Sequence, residues 1–468
     1  MITDPENGDY SLLPNSPASG YGCITFPENK YYPYNSFTFD RKNSLVLNGD
    51  RLEVEGEINE NTHWTADTVT VVGDLIVNNG IVLMIDPGVV IEFTGFYSIN
   101  VSGTIIAEGI PDERIVFRSE TGGLFHPDST ETGSWNGIKF INTQADNEVS
   151  IFRYCIFENS KSLNEDIIGG VFYCYNYSKL KIENSVFRCN LAVFGSAIGC
   201  DYNSSPQITG NLFYENYAIL AGSPFYIKYS HPIFNYNTIV SNVILNEDEW
   251  YVTGIFHTYI AKPQLTGNII RNNLTNYFFQ DQILEGKAIY IGYNNIEFGF
   301  EGTGNIDLPA LFLMEEPYPY SLLNNSPCID AGINQLTWDL QLPPTDLAGE
   351  DRIYNNTIDM GAYEWRSTNA EDDIVDPEQI ILVNYPNPFN PSTIISFQVS
   401  DNSFQNDVEL IIYNLKGQKL KKYSLFNFQN SITWDGTDNN NNPVPSGIYF
   451  CRVKIGNIIA SRKMILLK

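Results

Sequence analysis

The chain has 468 residues, of which 43% are hydrophobic and 18% are charged, so it is long enough for more than one domain and too apolar to be mostly disordered. Its 27 basic and 55 acidic residues give a formal net charge of −28. Such a charge repels phosphate and argues against nucleic acid and anionic lipid surfaces as partners. No apolar run reaches the roughly 18 residues of a membrane-spanning helix, and we expect no transmembrane segment.

The first 22 residues have neither the basic start nor the apolar core of a secretion signal. Residues 10–17 (YSLLPNSP) are nearly repeated at 320–327 (YSLLNNSP), so residues 1–22 look like the closing segment of an upstream module. We expect the chain to begin inside a longer protein with its signal peptide upstream; a cytoplasmic protein is the alternative. Residues 23–45 carry Pro and aromatic residues without a clear period and are interpreted as a connector.

Strands are predicted from Val69 onward. The runs VTVVGDLIV, IVLMIDPGVVIEF, SINVSGTIIAEG and RIVFRS are separated by Gly, Asn or Pro turns and are followed by WNGIKF at 135–140. β-Branched and aromatic runs between such turns are typical of short strands.

A repeat then occupies the stretch from Val149 to Asn294. Five six-residue frames, YCIFEN, SVFRCN, NLFYEN, NTIVSN and NIIRNN, end at Asn residues separated by 31, 26, 26 and 31 positions. Repeats of this length with short strands predict a solenoid. An Asn at the same turn of every coil can bond to neighbouring coils, so we interpret these residues as a structural ladder and not as ligands. The ladder residues are Asn159, Asn190, Asn216, Asn242 and Asn273.

A second strand follows each frame and aligns on Phe172, Ile198, Phe225, Phe256 and Ile289. Because side chains alternate along a strand, an inward Phe172 implies an inward Cys174, with Tyr173 and Tyr175 pointing outward. Cys174 and Cys200 then occupy the same position in adjacent coils, which favours a ladder of buried thiols over a disulfide.

The runs from DPGVVIEF through GTIIAEG and RIVFRS to WNGIKF resemble right-handed parallel β-helix proteins of secreted bacterial origin, and the Asn frames resemble their continuation. On this resemblance a β-helix with its closing segment spans residues 46–365. The closing stretches are SPCIDAG, LPPTDLAGEDRI and IDMGAYEW. Their Asp residues are expected to cap turns, with an ion site as the alternative.

An acidic, polar stretch at 366–379 is interpreted as a linker. Residues 380–468 alternate apolar and polar positions between turn clusters, which predicts a small antiparallel β-sandwich after the β-helix. Their YPNPFNP and WDGTD elements, with GIYFCRV, resemble the C-terminal sorting domain of type IX secretion substrates, which is similar to the Ig-like domain of flagellar hook-cap proteins. The resemblance implies export by the type IX secretion machinery of a Bacteroidota-like bacterium, to the cell surface or the medium.

Polysaccharide-cleaving β-helix enzymes need carboxylates, or a basic residue with Ca²⁺, converging on one outer face. The outward positions of the second strand offer one acid, Asp201, and one base, Lys228, which supports a catalytic site poorly. The acidic residues 246–249 (NEDE) are interpreted as a solvated loop, and residues 435–442 (DGTDNNNN) as a hairpin turn without EF-hand spacing. We expect no catalytic residue, metal site or cofactor; Ca²⁺ is the weak alternative.

The outward positions carry a row of aromatic residues that suits stacking on sugar rings, although aromatic columns also stabilise β-helices by themselves. We therefore expect an exported, monomeric, non-catalytic protein that binds or adheres to a glycan or cell surface. The alternative is a polysaccharide lyase or glycoside hydrolase on the same helix. The candidate binding residues are Tyr173, Tyr175, Tyr226, Lys228, His257, Tyr259 and Tyr290.

Overall fold

A computed structural model gives the architecture of most of the chain. The predicted connector at 23–45, the acidic residues 246–249, Ile289 and residues 367–379 of the linker lie outside the residues it describes. The described residues are 2–4, 9–12, 50–163, 167–245, 254–275, 290–313, 317–334, 342–355, 357–366, 380–385, 389, 391–399, 408–425, 431–440, 442–455 and 458–466.

Two compact units make up the chain. One contains residues 44–368, and the other contains residues 369–468 together with residues 1–43, where β1 (Ile2–Asp4) pairs antiparallel with β2 (Asp9–Leu12). Within the described ranges, helical structure is limited to a 3₁₀ turn at Gly122–Leu124, and no helix is long and apolar enough to cross a membrane. The expected all-β class is confirmed.

The larger unit is a parallel β-helix whose coils pass in turn through four sheets, here named A to D. Sheet A contains β8 (Ile99–Val101), β11 (Ile138–Ile141), β15 (Phe172–Tyr175), β19 (Ile198–Asp201), β23 (Phe225–Lys228) and β27 (Phe256–Tyr259). Sheet B contains β4 (Thr62–Trp64), β6 (Val82–Ile85), β9 (Thr104–Glu108), β12 (Ser150–Arg153), β16 (Leu180–Glu183), β20 (Gln207–Thr209), β24 (Ile233–Asn235), β28 (Gln264–Thr266) and β31 (Tyr290–Gly292).

Sheet C continues each coil, and sheet D completes the coils from Lys161 onward. Sheet C contains β7 (Val90–Phe93), β10 (Ile115–Ser119), β13 (Cys155–Glu158), β17 (Val186–Arg188), β21 (Leu212–Tyr214), β25 (Thr238–Val240), β29 (Ile269–Arg271) and β32 (Asn295–Ile296). Sheet D contains β14 (Lys161–Ser162), β18 (Leu191–Phe194), β22 (Tyr217–Ala221), β26 (Val243–Ile244) and β30 (Leu274–Thr275). The long strand β5 (Thr68–Val77) joins sheets A and C, and β3 (Arg51–Ile58) pairs with it.

Inward side chains stack in columns along the helix. Phe172 is in register with Ile198, and the column continues through Phe225 to Phe256. In sheet C the rings of Phe157 and Phe187 lie 4.8 Å apart. Burying each such ring contributes about 1.5–3 kcal/mol, so the shared core holds coils together that could not bury their apolar faces alone. Cys174 faces Cys200 in this core, and both are free thiols.

A buried ladder of Asn side chains runs along the corner between sheets C and D. The Nδ2 of Asn190 donates to Oδ1 of Asn216, and the same 2.9 Å bond links Asn216 to Asn242 and Asn242 to Asn273. Each Oδ1 also accepts the backbone N–H of the Asn one coil earlier. Backbone groups at the corner are thereby satisfied without water, as burial requires.

The ladder does not include Asn159. Strand β13 pairs with β17 so that Glu158 lies opposite Arg188, which places Ser160, and not Asn159, beside Asn190. The coil is thus 30 residues long, whereas the frame spacing implied 31. Asn159 occupies the corner position before the ladder, where the backbone is left-handed with φ of 63°. In later coils that conformation falls on the residues before the ladder Asn, which are Cys189, Glu215, Ser241 and Asn272.

A second ladder, which the sequence analysis missed, follows the corner between sheets B and C. Asn211 donates to Asn237, and the series continues through Asn268 and Asn294 to Asn305, with bonds of 2.9–3.2 Å. Three of these residues open the frames NLFYEN, NTIVSN and NIIRNN, so the signal was present at the first position of the repeat.

The closing segment packs on the outer side of sheet C. Its strands β33 (Phe312–Leu313) and β34 (Ser321–Leu322) form a small antiparallel pair. Outward residues of sheet C join its apolar residues in one cluster that includes Leu212, Val240, Phe312, Tyr320 and Met360. This cover turns the outer side of sheet C into a second core.

Acidic residues of the closing segment bond to its turns. The carboxylate of Asp346 accepts the N–H groups of Ala348, Glu350 and Glu364. That of Asp359 accepts the N–H groups of Asp330 and Trp365. These bonds use the oxygens that a metal ion would need, and the carboxylates act as turn caps.

The sandwich consists of two antiparallel sheets. Its core includes Leu410, Trp434, Cys451, Val453 and Met464. One sheet has the order β35 (Ile380–Tyr385), β36 (Thr393–Val399), β39 (Ser431–Trp434), and the other has the order β38 (Lys419–Leu425), β37 (Val408–Asn414), β40 (Gly447–Ile455), β41 (Ile458–Leu466).

Replacing Asn216 by Ala tests the ladder. The substitution removes bonds to Asn190, Asn242 and the carbonyl of Phe187 in a fully buried corner, so we expect a loss of about 2–3 kcal/mol in the free energy of unfolding. Urea denaturation measures it. The exposed Asn59→Ala variant is the control and should change stability by less than about 0.5 kcal/mol; equal effects of the two variants would refute the role of the ladder.

The closing segment predicts a pH dependence of stability. Burial, and then the nearby Asp359 carboxylate, raises the pKa of Glu364 to about 7. Because the folded state holds this proton more tightly than the unfolded state, the stabilisation is complete at low pH and is lost as pH rises through about 7.

Thermal unfolding between about pH 5 and about pH 8 measures this dependence. We expect the melting temperature of the wild-type chain to decline over this range and Glu364→Gln to flatten that decline. The control is Asp351→Asn, whose carboxylate is 85% exposed. A wild-type slope that survives Glu364→Gln contradicts the assignment.

Candidate functional site

The predicted binding residues are divided between two sheets. Tyr173 is in register with Gly199, Tyr226 and His257 on the outer side of sheet A. The neighbouring outward column of the same sheet contains Tyr175, Asp201, Lys228 and Tyr259.

The sequence alignment of Ile289 with Phe172 would place Tyr290 in the same outward column as Tyr173, and this placement was wrong. Tyr290 lies opposite Gln264 in sheet B. Asn294 continues the ladder from Asn268 into the next coil. Strand β31, which precedes Asn294, therefore has the same position in its coil as β28, which precedes Asn268, and both strands belong to sheet B. Tyr290 is therefore not part of the surface formed by sheet A.

The first outward column is half-buried. The backbone just before strands β19 and β23 passes close to this column. A Cβ atom added to Gly195 would lie 2.9 Å from Cβ of Tyr226, and one added to Gly222 would lie 3.1 Å from Cβ of His257. The rings of Tyr226 and His257 stack at 5.3 Å, and burial raises the pKa of Tyr226 and lowers that of His257. Packing within the helix accounts for these contacts, as aromatic columns do in sheets.

Exposed aromatic residues instead gather at the corner that follows sheet A. Tyr202 is 50% exposed and Tyr229 is 38% exposed, directly after the strands that end at Asp201 and Lys228. In the next coil Tyr259 is 50% and Ile260 is 66% exposed. We call this surface the tyrosine edge; it consists of Tyr175, Tyr202, Tyr229, Tyr259 and Ile260.

Ring contacts connect neighbouring coils along the tyrosine edge. The rings of Tyr175 and Tyr202 stack with centroids 5.6 Å apart, and those of Tyr229 and Tyr259 meet edge to face at 5.5 Å. Lys228 Nζ lies 5.5 Å from the Tyr229 ring and 3.8 Å from Asp201. With coils spaced about 4.8 Å apart, the edge extends about 14 Å along the helix.

The corner residues of this edge have an unfavourable backbone conformation. Tyr202, Tyr229 and Ile260 have φ of 46°, 49° and 47°, whereas the two preceding coils place Asn142 and Asn176 at the same corner. Left-handed geometry suits Gly and Asn and costs other residues about 1–2 kcal/mol, and it is least compatible with β-branched side chains. Asn would relieve this cost, yet the later coils place large, exposed side chains at this corner.

Left-handed tyrosines also occur at another corner of the helix, where they have hydrogen-bond partners. Tyr154 and Tyr236 are also left-handed, but at the corner between sheets B and C, and both are buried. The hydroxyl of Tyr154 donates to the carbonyl of Asp346, and that of Tyr236 donates to the carbonyl of Ile333. Both partners belong to the closing segment. Left-handed tyrosines thus anchor a second surface at one corner and face solvent at the other.

The charged residues that directly precede Tyr202 and Tyr229 are Asp201 and Lys228, and they pair with each other. Among the described residues no three His, Cys, Asp or Glu side chains group in a way that could hold a metal. In the sandwich loop, Asp435 accepts the N–H of Thr437, and Asp438 accepts those of Asn440 and Asn442, which makes this segment a capped turn.

Sequence reasoning missed Tyr202, Tyr229 and Ile260 because they follow the strands. The alternation that orients residues within a strand does not apply at a left-handed corner. A large side chain directly after each strand, in place of the Asn of earlier coils, was the available signal.

Comparison with known proteins identifies the C-terminal part of the chain. Residues 383–467 match the family described as "Secretion system C-terminal sorting domain". A search of curated proteins finds no match.

Two solved structures from Porphyromonas gingivalis show a limited similarity. PorZ, described as an essential bacterial surface component of the type IX secretion system, is 18% identical over 19% of this chain and 11% of its own, with a TM-score of 0.16. Dimeric latent PorU is 20% identical over 20% of this chain and 10% of its own, with a TM-score of 0.17. The chain spans about a tenth of either structure, and these likenesses carry no argument about its function.

The strain at the corner can be measured with Ile260→Asn. Asn adopts the left-handed conformation readily, so we expect this variant to be more stable than the wild-type chain by about 1 kcal/mol. Ile141→Asn is the matched control, because Ile141 is also exposed but lies in strand β11. Urea unfolding should show no gain for the control, and no gain for Ile260→Asn would contradict the strain.

Proposed function

We propose that this chain, which carries a type IX secretion sorting domain at residues 383–467, is a non-catalytic glycan-binding protein of the cell surface or the medium. The sorting domain implies export and interaction with the secretion machinery. The tyrosine edge is the contact surface of the proposal. The observation that carries it is the presence of exposed, large side chains at left-handed corners where Asn would be more stable.

The chemistry of the tyrosine edge suits a sugar chain. Tyrosine offers an apolar ring face with a hydroxyl at its end, and few rotatable bonds are ordered when it binds. An extent of about 14 Å, set by the coil spacing, is comparable to two or three sugar rings. Lys228 directly precedes Tyr229, and the ammonium group of its 35% exposed side chain can donate hydrogen bonds to sugar hydroxyls.

Replacing Tyr202 and Tyr229 together by Asn tests this proposal. The full chain is screened on a glycan array, and binding to its best glycan is then measured by titration calorimetry. We expect the double variant to bind at least about tenfold more weakly, which corresponds to 1.4 kcal/mol. Asn fits the left-handed corners, so the fold is preserved and the loss is attributable to the missing rings.

Tyr290→Ala is the control, because Tyr290 lies in sheet B and should not affect binding. Wild-type affinity in the double variant, or a wild-type chain that binds no glycan, would overturn the proposal. Assays for reducing ends and unsaturated products on acidic polysaccharides should show no turnover; product formation would favour the lyase or hydrolase alternative.

A further inference from the structure

The acidic character of the chain is confined to one part of its sequence. Residues 380–468 contain nine Lys and Arg against five Asp and Glu, whereas residues 1–379 contain 18 against 50. The formal charge of −28 therefore combines a strongly acidic segment with a basic sandwich. Charges further apart than about 10 Å are largely screened at moderate salt, so the local charge of the sandwich decides what binds to it.

Most of these basic residues share one face of the four-stranded sheet. The side chains of Leu410, Cys451 and Val453 point into the core, so their strand neighbours point outward. Strand pairing places Lys422 and Arg452 on either side of Ile411, and Lys454 opposite Glu409. We call this surface the basic face; its cations are Lys419, Lys422, Arg452, Lys454 and Lys463.

The environment of Glu409 reflects the positive charge of the basic face. Among the described outward residues of this sheet Glu409 is the one acidic residue, and Lys422 Nζ lies 2.5 Å from its carboxylate. The bond from Lys422, with the charges of Lys419 and Lys454 adding to it, lowers the pKa of Glu409. The described residues of the basic face thus include five cations and one carboxylate.

Apolar side chains accompany these cations. Phe450 is 37% exposed beside Lys463, and Ile459 is 46% exposed opposite Lys454. Both belong to the outward side of β40 and β41. Cations next to exposed aromatic and aliphatic residues are the combination found on proteins that lie on lipid surfaces, where the cations meet phosphates and the apolar groups enter the headgroup region.

We infer that the basic face of the sandwich binds an anionic lipid surface through headgroup phosphates. Lysine and arginine side chains are long enough to reach phosphates while Phe450 and Ile459 contact the acyl boundary. The net charge of the whole chain argues against an anionic lipid surface as a partner. That net charge, however, is the sum over an acidic segment and a basic sandwich. A second copy of this chain, whose first 379 residues are acidic, is the competing occupant.

The test uses the full chain and vesicles sedimented together with it. Vesicles of phosphatidylcholine with about one part in three of phosphatidylglycerol should bind the protein at low salt, and pure phosphatidylcholine vesicles should not. Raising the salt concentration should release the protein. We expect Arg452→Gln with Lys454→Gln to weaken binding at least about fivefold, and Phe450→Ser to weaken it without any change in charge.

The matched control removes the same charge elsewhere in the sandwich. Lys416 lies in the turn between β37 and β38, and Arg462 is paired with the inward Cys451, so neither belongs to the basic face. Lys416→Gln with Arg462→Gln should retain binding. All substituted positions are exposed, so circular dichroism and thermal unfolding should match the wild-type chain.

Three results would overturn the inference. The first is a wild-type chain that does not sediment with anionic vesicles. The second is an equal loss in both double variants, which would show that only net charge matters. The third is a wild-type chain that binds no lipid but forms a salt-sensitive dimer in sedimentation velocity, with the dimer abolished by Arg452→Gln with Lys454→Gln. That result would assign the basic face to contact with a second copy.

Discussion

The hydrogen bonds of the buried Asn ladders are the constraint on which the later coils of the β-helix, from Asn190 to Asn305, depend. At each corner the backbone leaves one sheet and enters the next inside a region that excludes water, and its polar groups must be paired there. Asn supplies a donor and an acceptor on one short side chain, so it can bond to the coil before and the coil after. Two such columns fix the register of sheets B, C and D and, through them, of the strands in sheet A.

Because the coils are in register, their left-handed corners lie in columns along the helix, and the side chains at these corners can form contacts. Each coil must turn sharply at the same places, and the residue at the turn is held in a conformation that few residues adopt without cost. At one corner, Asn184, Tyr154 and Tyr236 donate hydrogen bonds to carbonyls of the closing segment. At another corner, Tyr202 and Tyr229 are exposed to solvent.

The two units differ in the surface that they present. The β-helix offers an edge of rings in an acidic segment, and the sandwich offers a sheet face with an excess of cations beside Phe450 and Ile459. A neutral sugar chain suits the edge of rings, because stacking on aromatic rings is not prevented by nearby negative charge. A phosphate-bearing surface suits the sandwich, because phosphate is repelled by negative charge and attracted by cations. An exported protein that holds to a surface with one unit and a glycan with the other would use both.

The sequence by itself determined the class of the fold, the inward columns and the sorting domain. Period-two alternation orients Phe172 and Cys174 within a strand, and a repeat of 26 residues returns each coil to the same position. These are local properties of the chain. The placements of Asn159 and Tyr290 failed because coil length varies, and a shift of one residue or one strand is visible only when the coils are stacked.

Only the tertiary structure decided which aromatic residues reach solvent. Tyr226 and His257 alternate outward as the sequence predicted, yet the chain at Gly195 and Gly222 passes over them. Tyr202 and Tyr229 stand beyond the strands, where alternation says nothing, and left-handed corners turn them outward. Exposure depends on what neighbouring coils place above a side chain, and that is a property of the stack and not of any one strand.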